Sequence, residues 1–314
     1  MNDNYGRKIE YLRLSVTDLC NYRCIYCMAE DGIQKRSHAE ILSIEELFEI
    51  AAAAHSLGIN RIRLTGGEPL VRRGILTLIR LIRGIDPSLE LSITTNGSLL
   101  ADMAADLKEA GLDRLNISLD SLNPDTFHTI TRCGELGDVL SGIGAAMRAG
   151  FEHIKINAVL IGGVNDTDAS DLIHLTRDNP VSVRFIELMP IGVARGWDSA
   201  RFVCSQSIEK LLNDAELLSY DGVAQVYRLP GHQGTVGLIS PMSRRFCDRC
   251  NKIRVTADGK LKPCLHSDAE IPLRGLHGDE LLDAIRAGIL AKPAHHLLDE
   301  HIAASSRNMN EIGG

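Results

Sequence analysis

Cys20-Asn-Tyr-Arg-Cys24-Ile-Tyr-Cys27 directly follows a short segment, Tyr11–Val16, whose composition is typical of a β-strand. In α/β folds the loops that follow strands carry most of the chemistry. Three thiolates this close together can hold one face of a small iron–sulfur cube, and complete protein ligation of a four-iron cluster takes four cysteines. The stretch therefore predicts a cluster that has one iron free to bind another molecule.

The strand before this stretch is the first of six β-branched segments that alternate with helical ones. The predicted strands are Tyr11–Val16, Arg61–Leu64, Leu89–Thr94, Arg114–Leu119, His153–Leu160 and Val181–Leu188. The predicted helices include Ile44–Leu57 with a Ser43/Glu46 capping box, Leu76–Arg83, Leu100–Ala110 and Val139–Ala149. Helical crossovers imply parallel strands, so we predict an α/β fold: an incomplete, TIM-like (β/α)6 barrel. A doubly wound sheet is the alternative.

The pattern changes after Met189-Pro190, where glycines and short strands replace the alternation. Ile253–Thr256 and Lys260–Lys262 flank Asp258-Gly259, which predicts a hairpin, and a last helix is predicted over Asp279–Ala291. We therefore divide the chain into a barrel, residues 1–190, and a C-terminal region, residues 191–314.

The C-terminal region contains a second cysteine group, Cys247, Cys250 and Cys264, in the pattern Cys-x2-Cys-x13-Cys. The predicted hairpin folds the third cysteine back toward the first two, which indicates a metal site. A structural zinc site usually has four protein ligands, and His266 is the candidate for the fourth. A second iron–sulfur cluster with an open iron is favoured because polar and cationic residues that suit an anionic substrate lie nearby. They are Asn251, Lys252, Arg254 and Lys262, and the alternative for them is a solvated hairpin face.

Composition narrows the class of protein. The chain is 44% hydrophobic and 24% charged, with a net charge of −7, which argues against a nucleic-acid-binding scaffold. We find no apolar run that could span a bilayer, and the polar start, Met1–Glu10, lacks a secretory signal. We therefore expect a cytoplasmic protein that binds neither membrane nor nucleic acid. In that reducing compartment the clustered cysteines are expected to be ligands, whereas Cys133 and Cys204 stand alone and are not.

Two further loops follow predicted strands, and a third segment of interest covers the end of the fourth predicted strand. Thr65-Gly66-Gly67-Glu68-Pro69 has two glycines that let a ligand approach the backbone closely. Thr94-Thr95-Asn96-Gly97 and Asn116–Asp120 present hydroxyl and amide groups that can hydrogen-bond a ribose or a carboxylate. Taken alone, each of these segments would more often be turn or cap chemistry than a ligand site.

The first cysteine group with Tyr26 before its last cysteine, followed by the Gly-Gly-Glu-Pro loop, resembles the radical SAM superfamily. The resemblance implies that S-adenosylmethionine binds the open iron through its amino and carboxylate groups. It also implies that reductive cleavage of this molecule gives a 5′-deoxyadenosyl radical. By position, the residues that match cofactor-binding residues are Tyr26, Gly67, Ser118 and Met189.

Nearly the whole chain resembles the GTP 3′,8-cyclase family of molybdenum cofactor (molybdopterin) biosynthesis, also called the molybdopterin biosynthesis protein A family. The match rests on Leu12–Cys20, Arg63–Leu70, Arg184–Pro190, the Cys247–Cys264 block and the terminal Gly-Gly. It implies two [4Fe-4S] clusters, with GTP between them and guanine touching the open iron of the second. The positions that match GTP-binding residues are Arg13, Arg63, Thr94, Lys155, Lys252 and Arg254, and those that match catalytic ones are Arg184, Gly313 and Gly314. Lys252 departs from the usual arginine, which keeps the charge but loses the planar fork.

The resemblance implies a lyase in which the 5′-deoxyadenosyl radical removes the C3′ hydrogen of GTP and the C3′ radical attacks guanine C8. The product would be 3′,8-cyclo-7,8-dihydro-GTP. The implied partners are an external one-electron donor, a downstream cyclic pyranopterin monophosphate synthase and a second copy in a homodimer. Independently of the resemblance, charged residues inside predicted strands would be costly unless they line a wet, ligand-filled interior, although outward-facing strand positions would also accommodate them.

The terminal Gly313-Gly314 lies well past the last predicted helix, and the resemblance implies that this tail enters the active site. The alternative is a frayed end. His295, His296 and His301 are interpreted as part of a polar tail rather than as a metal site. Two rival functions stay open at this point: a radical SAM enzyme that modifies a peptide, and a binding module that holds two zinc ions without catalysis.

Overall fold

The computed structural model describes residues 1–33, 36–296, 305 and 307–313. Its helices are α1 Ile44–Ser56, α2 Ile75–Arg83, α3 Leu100–Glu109, α4 Pro124–Thr131, α5 Leu136–Arg148, α6 Ala169–Asp178, α7 Ser205–Glu209, α8 Gly278–Leu290 and α9 Met309–Ile312. Its strands are β1 Tyr11–Ser15, β2 Arg61–Thr65, β3 Glu90–Thr95, β4 Arg114–Ser118, β5 His153–Leu160, β6 Ser182–Glu187, β7 Glu216–Asp221, β8 Ala224–Arg228, β9 Thr235–Ile239, β10 Lys252–Val255, β11 Lys260–Lys262 and β12 Ile271–Pro272.

These strands form one sheet in the order β12-β11-β10-β1-β2-β3-β4-β5-β6-β9-β8-β7. Strands β1 to β6 are parallel neighbours in sequence order, as predicted. A doubly wound sheet reverses its strand order at a switch point, so that alternative is wrong. The C-terminal region extends the sheet on both sides, because β10 pairs with β1 and β9 with β6, both in parallel.

Strand alternation separates a core face from an inner face. In β1, Leu12 and Leu14 are fully buried in the hydrophobic core, whereas Tyr11 and Arg13 line a cavity. Each buried leucine contributes about 1.5–3 kcal/mol. Because a one-residue slip would exchange the two faces, this burial fixes which side chains reach the cavity.

Several predicted elements are confirmed at the level of single residues. Helix α1 has the Ser43/Glu46 capping box, and β10 and β11 pair antiparallel around Gly259, whose φ is +79°. The helix predicted at Asp279–Ala291 forms as α8, but it is not the last one, since α9 follows. In the described residues no helix is long and apolar enough to cross a membrane.

Candidate active site

The inner face of the sheet lines a cavity of about 390 Å³. Strands β1 to β6 contribute to its wall, and both cysteine groups border it. All six cysteines predicted as ligands line this one cavity: Cys20, Cys24, Cys27, Cys247, Cys250 and Cys264. The cavity is also lined by Tyr26, Gly67, Ser118 and Met189, and by Arg13, Arg63, Thr94, Lys155, Arg184, Lys252 and Arg254.

The first cysteine loop is held by the end of α4. The N–H groups of Arg23 and Ile25 donate to the carbonyl oxygens of Thr131 and Ile130, at 3.1 and 2.9 Å. Burial raises the pKa of Cys20 to about 11 and that of Cys27 to about 12. Burial disfavours the charged thiolate forms of these two cysteines. A bound, positively charged metal centre would stabilise those thiolates.

The second cysteine group is tied together by Lys292. Its Nζ donates to the carbonyl oxygens of Lys252 and Pro263, at 2.7 and 2.9 Å, so it links the segments that carry Cys250 and Cys264. Burial acts to raise the pKa of Cys250, but Lys292 and Lys252 outweigh it and lower that pKa. Cationic side chains therefore already favour a thiolate in this loop.

The zinc alternative depends on His266 as a fourth ligand. Among the described residues, no three His, Cys, Asp or Glu side chains are arranged to hold a single metal ion. His266, the candidate fourth ligand, packs edge-on against His296 with ring centroids 4.9 Å apart, and its Nδ1 is a buried atom without a hydrogen-bond partner. The ligands of a multi-iron cube bind different iron atoms, so three cysteines need not converge on one point to hold it.

The register of the sheet places cationic side chains next to one another along one side of the cavity, and we call this side the cationic wall. Arg13 lies between Arg254 of β10 and Arg63 of β2 as paired neighbours. Burial lowers the pKa of Arg13 to about 10 and that of Arg254 to about 9, and the mutual proximity of these arginines adds to both shifts. In the structure Arg13 Nε and Thr94 Oγ1 are buried without a partner. Crowded, desolvated cations and orphaned donors fit a polyanionic ligand, which would offset the desolvation.

Gly237, which has no side chain, leaves space for the side chain of Arg184. Gly237 of β9 pairs with Arg184 of β6, and a Cβ at Gly237 would lie 2.4 Å from Arg184 Cδ. The guanidinium is thereby directed along the wall, where Nη2 donates to Asp221 at 2.8 Å. Lys155 Nζ donates to the same carboxylate oxygen at 2.6 Å. The sequence analysis missed Asp221, which lies in an exposed strand whose pattern gives no signal.

The glycine pair after β2 is required by close backbone approach. A Cβ at Gly66 would lie 2.4 Å from the carbonyl oxygen of Thr17, and one at Gly67 would lie 2.3 Å from that of Leu19. Glu68 is buried beside them and accepts hydrogen bonds from the N–H groups of Leu70 and Asn96, at 2.9 and 2.6 Å. Burial raises the pKa of Glu68 to about 7.

Tyr26 and Asp120 connect the first cysteine loop to the sheet. The Tyr26 hydroxyl donates to Asp120 Oδ2 at 2.8 Å, and Asp120 Oδ1 accepts from the N–H of Val159 at 2.8 Å. Burial raises the pKa of Asp120 to about 6. Sequence reasoning singled out the Asn116–Asp120 segment for its Ser118 but gave Asp120 no function.

The C-terminal tail reaches the cationic wall. Gly313, with φ +75°, accepts a hydrogen bond at its carbonyl oxygen from Arg254 Nη1 at 2.7 Å. Arg307 Nε and Nη2 donate to Glu270 and Asp258, at 2.6 and 2.9 Å, and hold the start of the tail. Gly314 and His301 lie outside the described residues. The sequence analysis predicted that the tail enters the site but missed the residues that anchor it.

Comparisons with known proteins show which families and relatives the chain resembles. Residues 14–176 match the family model described as Radical SAM superfamily, and residues 181–298 match the one described as Molybdenum Cofactor Synthesis C. A protein of Alkaliphilus oremlandii named GTP 3′,8-cyclase is 48% identical, with the full length of both chains covered. Another GTP 3′,8-cyclase, from Peptoclostridium acidaminophilum, is 49% identical over 99% of this chain and 98% of its own.

Solved structures support the fold alone. SuiB of Streptococcus suis, bound to its precursor peptide SuiA, matches with a TM-score of 0.67 over 98% of this chain and 76% of SuiB, at 12% identity. The enzyme anSMEcpe with bound AdoMet matches with a TM-score of 0.59 over 90% of this chain and 81% of its own, at 14% identity.

Proposed function

The chain belongs to the radical SAM superfamily and, within it, to the GTP 3′,8-cyclase family, and from that premise we propose how its own residues share the reaction. The enzyme converts GTP to 3′,8-cyclo-7,8-dihydro-GTP in the first step of molybdenum cofactor biosynthesis. When bound, the first cluster and S-adenosylmethionine supply the 5′-deoxyadenosyl radical that removes the C3′ hydrogen of GTP, after which C3′ joins guanine C8.

In this proposal Cys20, Cys24 and Cys27 hold the first [4Fe-4S] cluster, and Tyr26, Gly67, Ser118 and Met189 bind the S-adenosylmethionine beside it. The close packing of the Gly66-Gly67 backbone on Thr17 and Leu19 supports this, because it keeps side chains away from the loop that receives the methionine end. Cys247, Cys250 and Cys264 hold a second [4Fe-4S] cluster in the C-terminal region, residues 191–314.

GTP lies along the cationic wall in the proposed complex. The observation that carries this assignment is the row Arg254–Arg13–Arg63, in which three arginines are paired neighbours on adjacent strands and burial lowers the pKa of Arg254 and Arg13. Lys155, Lys252 and Thr94 complete the substrate contacts, and Arg184 with the Gly313-Gly314 tail takes the catalytic positions. The residues position the ribose and exclude water, while the bound cofactors supply the radical chemistry.

The barrel, residues 1–190, is proposed to be an incomplete (β/α)6 barrel. Its support is the sequential parallel order of β1 to β6 together with one cavity lined by the same face of all six strands. We also propose that the enzyme is cytoplasmic and forms a homodimer. Its proposed partners are an external one-electron donor and a downstream cyclic pyranopterin monophosphate synthase.

Metal and product analysis tests the cluster assignment. Anaerobically reconstituted protein should contain about eight irons and matching sulfide, and alanine replacement of Cys247, Cys250 and Cys264 together should leave about four. Mass analysis of products from GTP and S-adenosylmethionine should give the cyclised nucleotide for the wild type only. Zinc without sulfide in the wild type would contradict the assignment and favour a zinc-binding module.

A binding measurement distinguishes the proposed cyclase from a radical SAM enzyme that modifies a peptide. GTP should protect the folded, reconstituted protein against thermal unfolding in a saturable way, because binding to the native state alone stabilises it. Absence of protection together with absence of cyclised product would leave the peptide substrate as the better explanation.

A further inference from the structure

The hairpin formed by β7 and β8 brings a carboxylate to the cavity. Its tip consists of Asp221, Gly222 and Val223, all of which line the cavity, and Gly222 has φ +63°, a conformation that suits a tight turn. Strand β7 is exposed along its length and lies at the edge of the sheet. We call the Asp221 side chain the hairpin carboxylate.

One oxygen of the hairpin carboxylate accepts hydrogen bonds from two cationic side chains, which belong to the adjacent strands β5 and β6. Its Oδ2 accepts from Lys155 Nζ at 2.6 Å and from Arg184 Nη2 at 2.8 Å. The Arg184 side chain is 6% exposed and Lys155 20%, whereas Asp221 is 44% exposed. Arg184 is further fixed by Ser182, whose Oγ accepts from Nε at 3.0 Å. The two cations are therefore the less exposed partners and lie in the cavity wall, whereas the carboxylate lies at the more exposed hairpin tip.

The other carboxylates that line the cavity in the described part of the chain have partners elsewhere. Asp120 accepts from a tyrosine hydroxyl and a backbone N–H, and Glu187 accepts from the N–H groups of Ser205 and Met242 and from the Ser243 hydroxyl. Glu90 pairs with Arg114, 3.1 Å away, which is not among the lining residues. Among these carboxylates, the hairpin carboxylate alone forms ion pairs with cations of the wall.

We propose that Asp221 is an internal counter-ion that holds Lys155 and Arg184 in the empty enzyme and yields them to the phosphates of GTP. This inference rests on the proposed function, in which Lys155 contacts the substrate and Arg184 takes a catalytic position, and it extends the contacts of both cations to the phosphates. A phosphate at these cations would lie next to the carboxylate, and two anions repel each other at that distance. Binding therefore exchanges one anion for another, and the hairpin tip moves away as the phosphates arrive.

The exchange affects the binding of phosphorylated ligands alone. A nucleoside without phosphates cannot replace the carboxylate, so it binds without displacing the hairpin. A triphosphate can, and its net affinity is reduced by the ion pairs that it must break. Removing the negative charge of Asp221 should therefore strengthen binding of GTP and leave binding of guanosine unchanged.

The test compares Asp221→Asn with wild type by equilibrium binding of GTP and of guanosine to anaerobically reconstituted protein. Partly exposed ion pairs of this kind contribute enough for a gain in GTP affinity of about three- to tenfold. Glu216→Gln is the matched control, because it removes an exposed negative charge from the same strand without touching a wall cation. Asp221→Ala should reproduce the gain, and unchanged iron content verifies that each variant is folded.

Two outcomes would overturn the counter-ion function: equal or weaker GTP binding by both Asp221 variants, or an equal gain for guanosine. Lys155→Met separates this result from failure of the site assignment. That variant should weaken GTP binding about tenfold while sparing guanosine. If Lys155→Met left GTP binding unchanged, the assignment of Lys155 to the phosphates would be wrong.

Discussion

Arg254 donates a hydrogen bond to the carbonyl oxygen of Gly313, which brings the C-terminal tail onto the cationic wall at a distance of 2.7 Å. Arg254 is on β10, which pairs with β1, and the tail comes back to it from beyond α8. Met309 and Asn310 of the tail line the cavity in the described structure, so the position of the tail can be perturbed without altering any cluster ligand.

Gly313→Ala should lower turnover by up to about hundredfold, because misplacement of an active-site group by about 1 Å can have that effect. A Cβ there would lie 2.5 Å from Thr65 Oγ1, and the φ of +75° disfavours any L side chain. The measurement is the turnover number of reconstituted enzyme with GTP and S-adenosylmethionine, with iron content unchanged.

The matched control for this variant is Gly150→Ala. Gly150 has φ +79°, but nothing lies within 4 Å of its Cβ position, so the backbone strain is similar and the clash is absent. Nearly normal turnover is expected for this control. If Gly313→Ala were as active as Gly150→Ala, the tail would have no positioning function. A single residue added after Gly314 should likewise abolish turnover and leave both clusters intact.

The tail is held in place by a charge network, and the second prediction concerns its central residue. Arg307 bridges Asp258 and Glu270, and its side chain is only 14% exposed. Arg307→Gln should weaken docking of the tail by about 2 kcal/mol, the typical contribution of hydrogen bonds between charged groups. Hydrogen exchange of Met309–Ile312 should then accelerate about thirtyfold, and turnover should become more sensitive to salt.

The control for Arg307 is an ion pair on the surface of α8. Arg286 and Asp283 pair at 2.7 Å, but their side chains are 48% and 72% exposed, so Arg286→Gln should change neither quantity. Unchanged exchange in Arg307→Gln, with its iron content intact, would mean that the tail is anchored mainly by other contacts, such as Asn310 with the carbonyl oxygen of Asp18.

Lys155 gives the third prediction, a pH dependence. Burial, and then Arg184 and Arg63, lower the pKa of Lys155 to about 8, although Asp221 acts in the opposite direction. Because a lysine is charged below its pKa, its attraction for GTP is present below about pH 8 and is lost as the pH rises through that value. The dissociation constant of GTP should increase about tenfold over the next pH unit.

Lys155→Arg isolates this effect, since a guanidinium keeps its charge across the range. The same titration on this variant should give a flatter profile above pH 8. An identical rise in both proteins would assign the pH dependence to another group on the wall.

The part of the site that could be predicted from sequence is the part with local patterns. The cysteine spacings, the Gly-Gly-Glu-Pro loop and the strand cations Arg13, Arg63, Lys155 and Arg184 were visible in the sequence. The six cysteines, the two glycines of that loop and these cations line the cavity. Helix α1 was predicted closely because its capping box is a local signal. Helix α4 has an equally local signal, an Asn123 cap before Pro124 at the first turn, which was overlooked.

The remainder depends on contacts between residues distant in sequence. Asp221 contacts Lys155 and Arg184 because β9 pairs with β6 and β8 pairs with β9. These pairings place the β7–β8 hairpin on the same side of the sheet as the two cations. Similarly, Arg307 meets Asp258 and Glu270 because the tail folds back over the β10–β11 turn. Strand periodicity gives no information on which surface carboxylate will face which buried cation, so these pairs could not be predicted.

Arg132 gives the fourth prediction, because it clamps the first cysteine loop from a strained backbone. Its φ is +64°, and it is the one non-glycine residue with positive φ in the described chain. Its Nη1 donates to the carbonyl oxygens of Arg23 and Met28, at 2.9 and 3.2 Å, on both sides of Cys24 and Cys27. A left-handed conformation costs a non-glycine residue about 1–2 kcal/mol, which the clamp offsets.

Arg132→Ala should remove the clamp and retain the strain, whereas Arg132→Gly should remove both. We therefore expect the glycine variant to have a free energy of unfolding about 1 kcal/mol higher than the alanine variant, measured by denaturant unfolding of the metal-free proteins. Both variants should lose iron from the first cluster while keeping the second, because Arg132 touches only the first loop. Electron paramagnetic resonance of the reduced proteins distinguishes the two clusters, and full retention of the first signal in both variants would refute the clamp. Equal loss from the two clusters would instead indicate a general effect on folding, which the metal-free unfolding energies would reveal.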